Sequence, residues 1–189
     1  RATSKIFDSE IIRDVIYTVD KNFKPIECYI TIRQFDKLIS SSFFLFTKNT
    51  IYLNGVNSKN NFISQKKETG PIISFISHAV AADVWHSANI IKKTSIGIQK
   101  ISPIYSSSHL PNGASDSTIF RWDLKAKFIK ITEVQTKAGI FEAEHIQYFD
   151  KDNSLWLEMW CTNDIDRIML KMYYPVYNSY YVLKQLDRE

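Results

Sequence analysis

From Asp14 onward, β-branched and aromatic side chains alternate with polar ones, and turn signals interrupt the alternation every eight to twelve residues. Alternation puts successive side chains on opposite faces of a strand, and short turns make consecutive strands antiparallel neighbours. The pattern therefore specifies a mainly β, antiparallel fold. Its strands come in two blocks. The first covers 14–20, 26–34, 38–47, 50–56 and 61–67, with turns at 21–25, at Asp36-Lys37 and at 48–49. The second covers 94–104, 118–124, 127–135, 141–149, 155–162, 167–174 and 180–186, with turns at 137–139, 150–153 and 163–166. Neither block alone closes a sheet around a cavity, and sheets of about ten or more strands curl. The expectation is one domain over 1–189, a single antiparallel β-barrel or strongly curved half-barrel of about ten to twelve strands.

Between the blocks the alternation stops. Residues 71–87 read as one helix, with Ile72, Phe75, Ile76 and Ala79 on one stripe and Ile73, Val80 and Val84 on a second. Only Ser74, Ser77 and His78 look polar, so the helix is expected to be buried within the sheet. Residues 106–117 form the one long loop, with three successive serines, Pro111 and Gly113, and read as a lid or rim.

At 189 residues and 44% apolar side chains, the chain is long enough for one well-buried core. Its 24 basic and 20 acidic residues leave a net charge of +4. Lys66-Lys67, Lys92-Lys93 and the spaced Lys125, Lys127 and Lys130 read as solvated edges, so no nucleic-acid partner is expected. No run approaches the roughly 18 apolar residues of a membrane span. With no leader at its start the chain reads as soluble and cytoplasmic, or as periplasmic or secreted if a leader has been removed before Arg1. Cys28 and Cys161 lie in strand-like runs, as one disulfide or two buried thiols rather than a metal knuckle.

Continuing the helical stripe reaches Asp83 and then His86, an acid and an imidazole three residues apart. Such a pair suits acid–base chemistry, and it equally suits a satisfied buried charge beside a cation at a helix C-terminus. His78 and Trp85, seven residues apart, fall on another shared face as a pocket edge and floor, or as plain packing. A metal site is not expected, because His78 and His86 leave one face and a third ligand is missing.

The run 155–162 places Trp156, Glu158 and Trp160 on one strand face, as a ligand cavity requires, with Arg167 or Lys171 as the structural alternative for pairing Glu158. Arg121 and Trp122 lie on a further strand, and His145 shares a side with Phe141, Ala143 and Phe149. There is no Gly-rich phosphate loop, Gly-x-Ser-x-Gly elbow, Cys-x-x-Cys or His-Glu-x-x-His, so any catalysis needs no cofactor.

The order of parts, Tyr17 and Val19 in a strand meander, then His78-Ala79 and Asp83-x-Trp85, then Ala138-Gly139-x-Phe141, then Tyr181-x-Leu183, resembles uncharacterised bacterial β-rich proteins akin to lipocalin-like and lipoprotein-carrier half-barrels. The resemblance implies a barrel or half-barrel around an apolar ligand or a helix, and carries over no catalytic residue. The leading expectation is a binder of a small apolar or amphipathic molecule, with Asp83, His78 and His86 as polar anchors and Trp85, Arg121, Trp122, His145, Trp156, Glu158 and Trp160 around the ligand. The rival is a cofactor-independent isomerase, lyase or hydratase using Asp83 with His86 or His78. A third reading is an interaction module working through a sheet edge, which leaves a homodimer open.

Overall fold

The computed structural model describes residues 1–6, 10–35, 37–72, 74–101, 103–110 and 112–187. Expectations resting on Asp36, Ile73 and Pro111 fall outside these residues. Six strands come first: β1 (Ala2–Ile6), β2 (Ile11–Val19), β3 (Pro25–Gln34), β4 (Lys37–Phe46), β5 (Thr50–Val56) and β6 (Phe62–Glu68). Then follow β7 (Ser74–Ile76), a long 3-10 helix (Val80–Asn89), β8 (Gln99–Lys100), β9 (Ile104–Ser106) and β10 (Phe120–Trp122). The remainder holds β11 (Lys125–Thr136), β12 (Gly139–Phe149), β13 (Leu155–Thr162), β14 (Met169–Tyr174), a 3-10 turn (Pro175–Tyr177) and β15 (Ser179–Val182).

The protein is mainly β, as the alternation requires, with every strand pair but one antiparallel among the described residues. The described strands form three open sheets and no closed barrel. They number fifteen rather than ten to twelve, because β1 precedes the first expected strand, β7 occupies part of the expected helix, and the expected strand 94–104 is divided between β8 and β9. By its contacts the chain divides into two compact units, one of residues 1–83 and 103–122, the other of residues 84–102 and 123–189.

In the first unit, β1 to β6 form an antiparallel meander in sequence order, and β10-β9-β7 form a small sheet in which β7 and β9 run parallel. Phe75 of β7 joins the two sheets, its ring 4.9 Å from Phe44, 4.8 Å from Phe46 and 6.2 Å from Tyr17. The expected helix over 71–87 is therefore a strand followed by a 3-10 helix. Its apolar residues Ile72, Phe75, Ile76 and Ala79 are all buried, but Ser74, Phe75 and Ile76 are buried together in a strand covered on both faces. Such a strand has no polar face, so its sequence mimics a buried helix. His78, at φ 58°, makes the bend between strand and helix.

The buried face of β4 changes character along its length. Phe44 and Phe46 meet Phe75, whereas Ser40 and Ser42 lie 3.0 and 2.7 Å from the Ser117 hydroxyl. Loop 106–117 is consequently anchored rather than lid-like: Ser106, Ser107, Ser108 and Ser117 are buried, and Asp116 accepts hydrogen bonds from the Ser58 backbone N–H and hydroxyl.

In the second unit the antiparallel order is β15-β14-β13-β12-β11-β8. Ile146, Tyr148, Leu157, Met159, Leu170 and Met172 are buried on one face of this sheet. The alternate positions His145, Gln147, Glu158, Trp160, Lys171 and Tyr173 are only partly buried on the other. The expected strand 94–104 breaks into β8, which pairs with β11, and β9, which belongs to the first unit.

Four turns share one local design. Asp20, Asn57, Asp150 and Asp164 each accept two downstream backbone N–H groups on a side-chain oxygen. Three residues beyond each stands a left-handed residue: Phe23 (φ 60°), Asn60 (φ 59°), Asn153 (φ 65°) and Arg167 (φ 49°). Asx side chains initiate such turns, and Asn tolerates the left-handed position. Phe23 and Arg167 do so at a steric cost.

Candidate functional site

The open face of the second unit's sheet gathers the largest group of residues expected at a site. The hairpin of β11 and β12 aligns Lys130 with His145 and Lys127 with Gln147. Strand β13 sets Trp160 opposite His145 and Glu158 opposite Gln147, and β14 sets Lys171 opposite Trp160 and Tyr173 opposite Glu158. Tyr180 of β15 completes the second row opposite Tyr173. Two parallel rows of side chains thus cross the sheet.

Their contacts are specific. The His145 and Trp160 rings stack with centroids 4.4 Å apart and planes 14° from parallel. Lys171 Nζ lies 5.0 Å from the Trp160 ring centre and 5.5 Å from that of Tyr180, and Tyr180 stacks on Tyr173 at 4.4 Å. Glu158 accepts a 2.6 Å hydrogen bond from Gln147 Nε2 on one oxygen, while its other oxygen lies 3.3 Å from His145 Nε2. Partial burial lowers the His145 pKa, and Lys130 and Lys171 push it the same way against the opposing pull of Glu158. The imidazole is therefore disposed to stay neutral, beside a carboxylate.

Three of the expected ligand residues, His145, Glu158 and Trp160, meet here. Glu158 pairs with neither Arg167 nor Lys171, because the registers seat Tyr173 opposite Glu158 and Lys171 opposite Trp160. Trp156 stands one position aside, in the bulge between Tyr148 and Phe149, and its indole N–H donates to the Tyr174 hydroxyl at 2.7 Å. Lys171, Gln147, Tyr173 and Tyr180 are not among the expected ligand residues. Counting from the turns at 137–139, 150–153 and 163–166 points toward them, but register shifts in each of these hairpins keep the count from fixing them.

The other expected residues are distributed elsewhere. Trp122 lies in β10 of the first unit, 5.3 Å from the Phe120 ring, and Arg121 is exposed beside it. The division between units falls after Asp83, so Asp83 and His78 belong to the first unit and His86 and Trp85 to the second. His78 precedes the helix instead of sharing a helical face with Trp85.

His78 lies in a buried polar lock. Arg13 donates to the His78 carbonyl at 3.3 Å and to the Asn112 carbonyl at 2.7 Å. His78 Nε2 is 3.0 Å from the Ser106 hydroxyl, which itself donates to the Ser108 carbonyl at 2.7 Å. With its only proton so used, Ser106 accepts from His78 Nε2–H. This Ser–His contact therefore has the opposite polarity from a nucleophile and its base.

A second buried cluster lies in the other unit. Arg167 donates to Ser87 Oγ at 2.6 Å, to Glu144 Oε2 at 2.5 Å and to Cys161 Sγ at 3.4 Å. Lys92 closes the other Glu144 oxygen at 2.5 Å. Among the described residues, the buried Arg167 Nε has no hydrogen-bond partner. Burial raises the Cys161 pKa, so this thiol is not an activated nucleophile. No group of three or more potential metal ligands occurs among the described residues.

A groove of about 380 Å³ also runs along the β11–β12 hairpin, where Glu133 stands directly opposite Glu142 beside Ile131 and Ile140. No protein-family model matches the chain, and neither a curated protein nor a solved structure shows significant similarity to it.

Proposed function

We propose that the protein binds a small amphipathic molecule on the open sheet face of the second unit, through Trp160, His145, Glu158, Lys171 and Tyr180. The observation that carries this reading is the convergence of these residues from four adjacent strands into one aromatic and charged surface. A surface of this composition offers apolar ring area together with a few fixed polar groups, the combination that small-molecule recognition uses.

The test is a panel of small amphipathic probes followed by thermal unfolding and by NMR of the Trp160 indole N–H. A binding probe is expected to raise Tm and to shift Trp160, His145 and Glu158 together, with both effects lost in Trp160→Ala. Probes that leave these three signals in place, or stabilise Trp160→Ala equally, remove the reading.

A further inference from the structure

We infer that the molecule taken by this face is a small aromatic carboxylate, an inference that rests on the binding reading above and adds the ligand's charge and shape. Across the two rows, Lys127, Lys130 and Lys171 contribute three cations against the single carboxylate of Glu158. That carboxylate is occupied by Gln147 and flanked by His145. The rows therefore carry excess positive charge, with Lys130 exposed and Lys127 and Lys171 partly buried.

The aromatic geometry favours the same charge. Trp160 has His145 stacked against its ring and the Lys171 ammonium over its ring centre, so what it has left to offer a ligand is its edge. Ring edges carry the positive end of the aromatic quadrupole and suit an oxygen anion, not a cation. Lys171 stands between Trp160 and Tyr180, which fixes where a carboxylate pairs. Tyr180, 57% exposed on the edge strand, supplies ring surface next to that position. A planar ring bearing a carboxylate satisfies both at once. A cationic amphiphile would instead meet the hairpin groove where Glu133 faces Glu142.

The experiment compares three probes of one shape: naphthoate, naphthylmethanol and naphthylmethylammonium. Affinities are read from the Trp160 indole shift in low and high salt. Naphthoate is expected to bind about tenfold more tightly than the alcohol, as for one hydrogen-bonded charge pair, with a preference that shrinks as salt rises. Lys171→Gln removes most of the preference and Lys171→Arg keeps it. Lys130→Gln, at an exposed position that does not disturb the ring stack, reduces the preference in the same direction.

Equal affinity for the alcohol, tighter binding of the ammonium, or a preference unchanged in both glutamine variants overturns the inference and leaves the binding reading standing. If none of the three shifts Trp160, the inference falls together with that reading.

Discussion

Arg167 occupies a backbone position that favours Asn or Gly, the left-handed residue of an Asx turn, while its side chain lies buried against Glu144, Ser87 and Cys161. The steric cost of about 1–2 kcal/mol is offset by what the guanidinium does for Glu144, a carboxylate only 1% exposed. Arg167→Ala relieves none of the backbone strain and leaves that carboxylate with Lys92 alone. The expected loss is about 3–5 kcal/mol in urea unfolding. Adding Glu144→Gln is expected to recover part of it, because the stranded charge is gone, and a purely additive double variant would contradict this account. At this scale the sequence was partly readable. His145, Glu158 and Trp160 were recoverable because strand period fixes the face each residue takes. Their partners were not, because bulges at Phe128/Lys130 and Trp160/Cys161 reset the register without leaving a distinctive residue type.

Among the elements, the loop 106–117 depends on Gly113. Its φ is +66°, and a Cβ there would lie 2.5 Å from His78 Cγ and 2.7 Å from Arg13 Nη2. Gly113→Ala therefore strains the backbone and also presses on the Arg13–His78 lock, so a loss of more than about 1 kcal/mol is expected in thermal or urea unfolding. A change within about 0.5 kcal/mol would show that the loop is free to move away. The same region marks the limit of periodicity as a guide. Residues 71–87 have the apolar spacing of a helix, yet Phe75 sits in a strand wedged among Tyr17, Phe44 and Phe46, and only 80–89 are helical. Burial on every side erases the polar positions that distinguish the two structures.

For the molecule as a whole, the two thiols report on the two units separately. Cys28 lies in β3 of the first and Cys161 in β13 of the second; both are free, fully buried and raised in pKa by burial. Raised thiol pKa values mean that the folded state disfavours the thiolate, so a contribution to stability present at neutral pH is lost only as pH rises through the alkaline range. Native protein is expected to give almost no reaction with a thiol-specific reagent at neutral pH, and the denatured chain to react at both cysteines. Rapid native labelling of either thiol would mean that its unit opens readily. Antiparallel β character was legible at this scale because hairpin turns are local, whereas the division into two units rests on where distant segments return and has no local signature. The parallel pairing of β7 with β9 has a consequence in time. The meander β1 to β6 joins neighbours and can assemble hairpin by hairpin as the chain emerges, but β7 meets its partner only about thirty residues later, after the chain has passed through residues 84–102 of the other unit. Phe75 can pack on Tyr17, Phe44 and Phe46 as soon as it is made, but the β7 edge that β9 pairs is synthesised well before that partner, and during that interval it is an unpaired strand edge open to other chains.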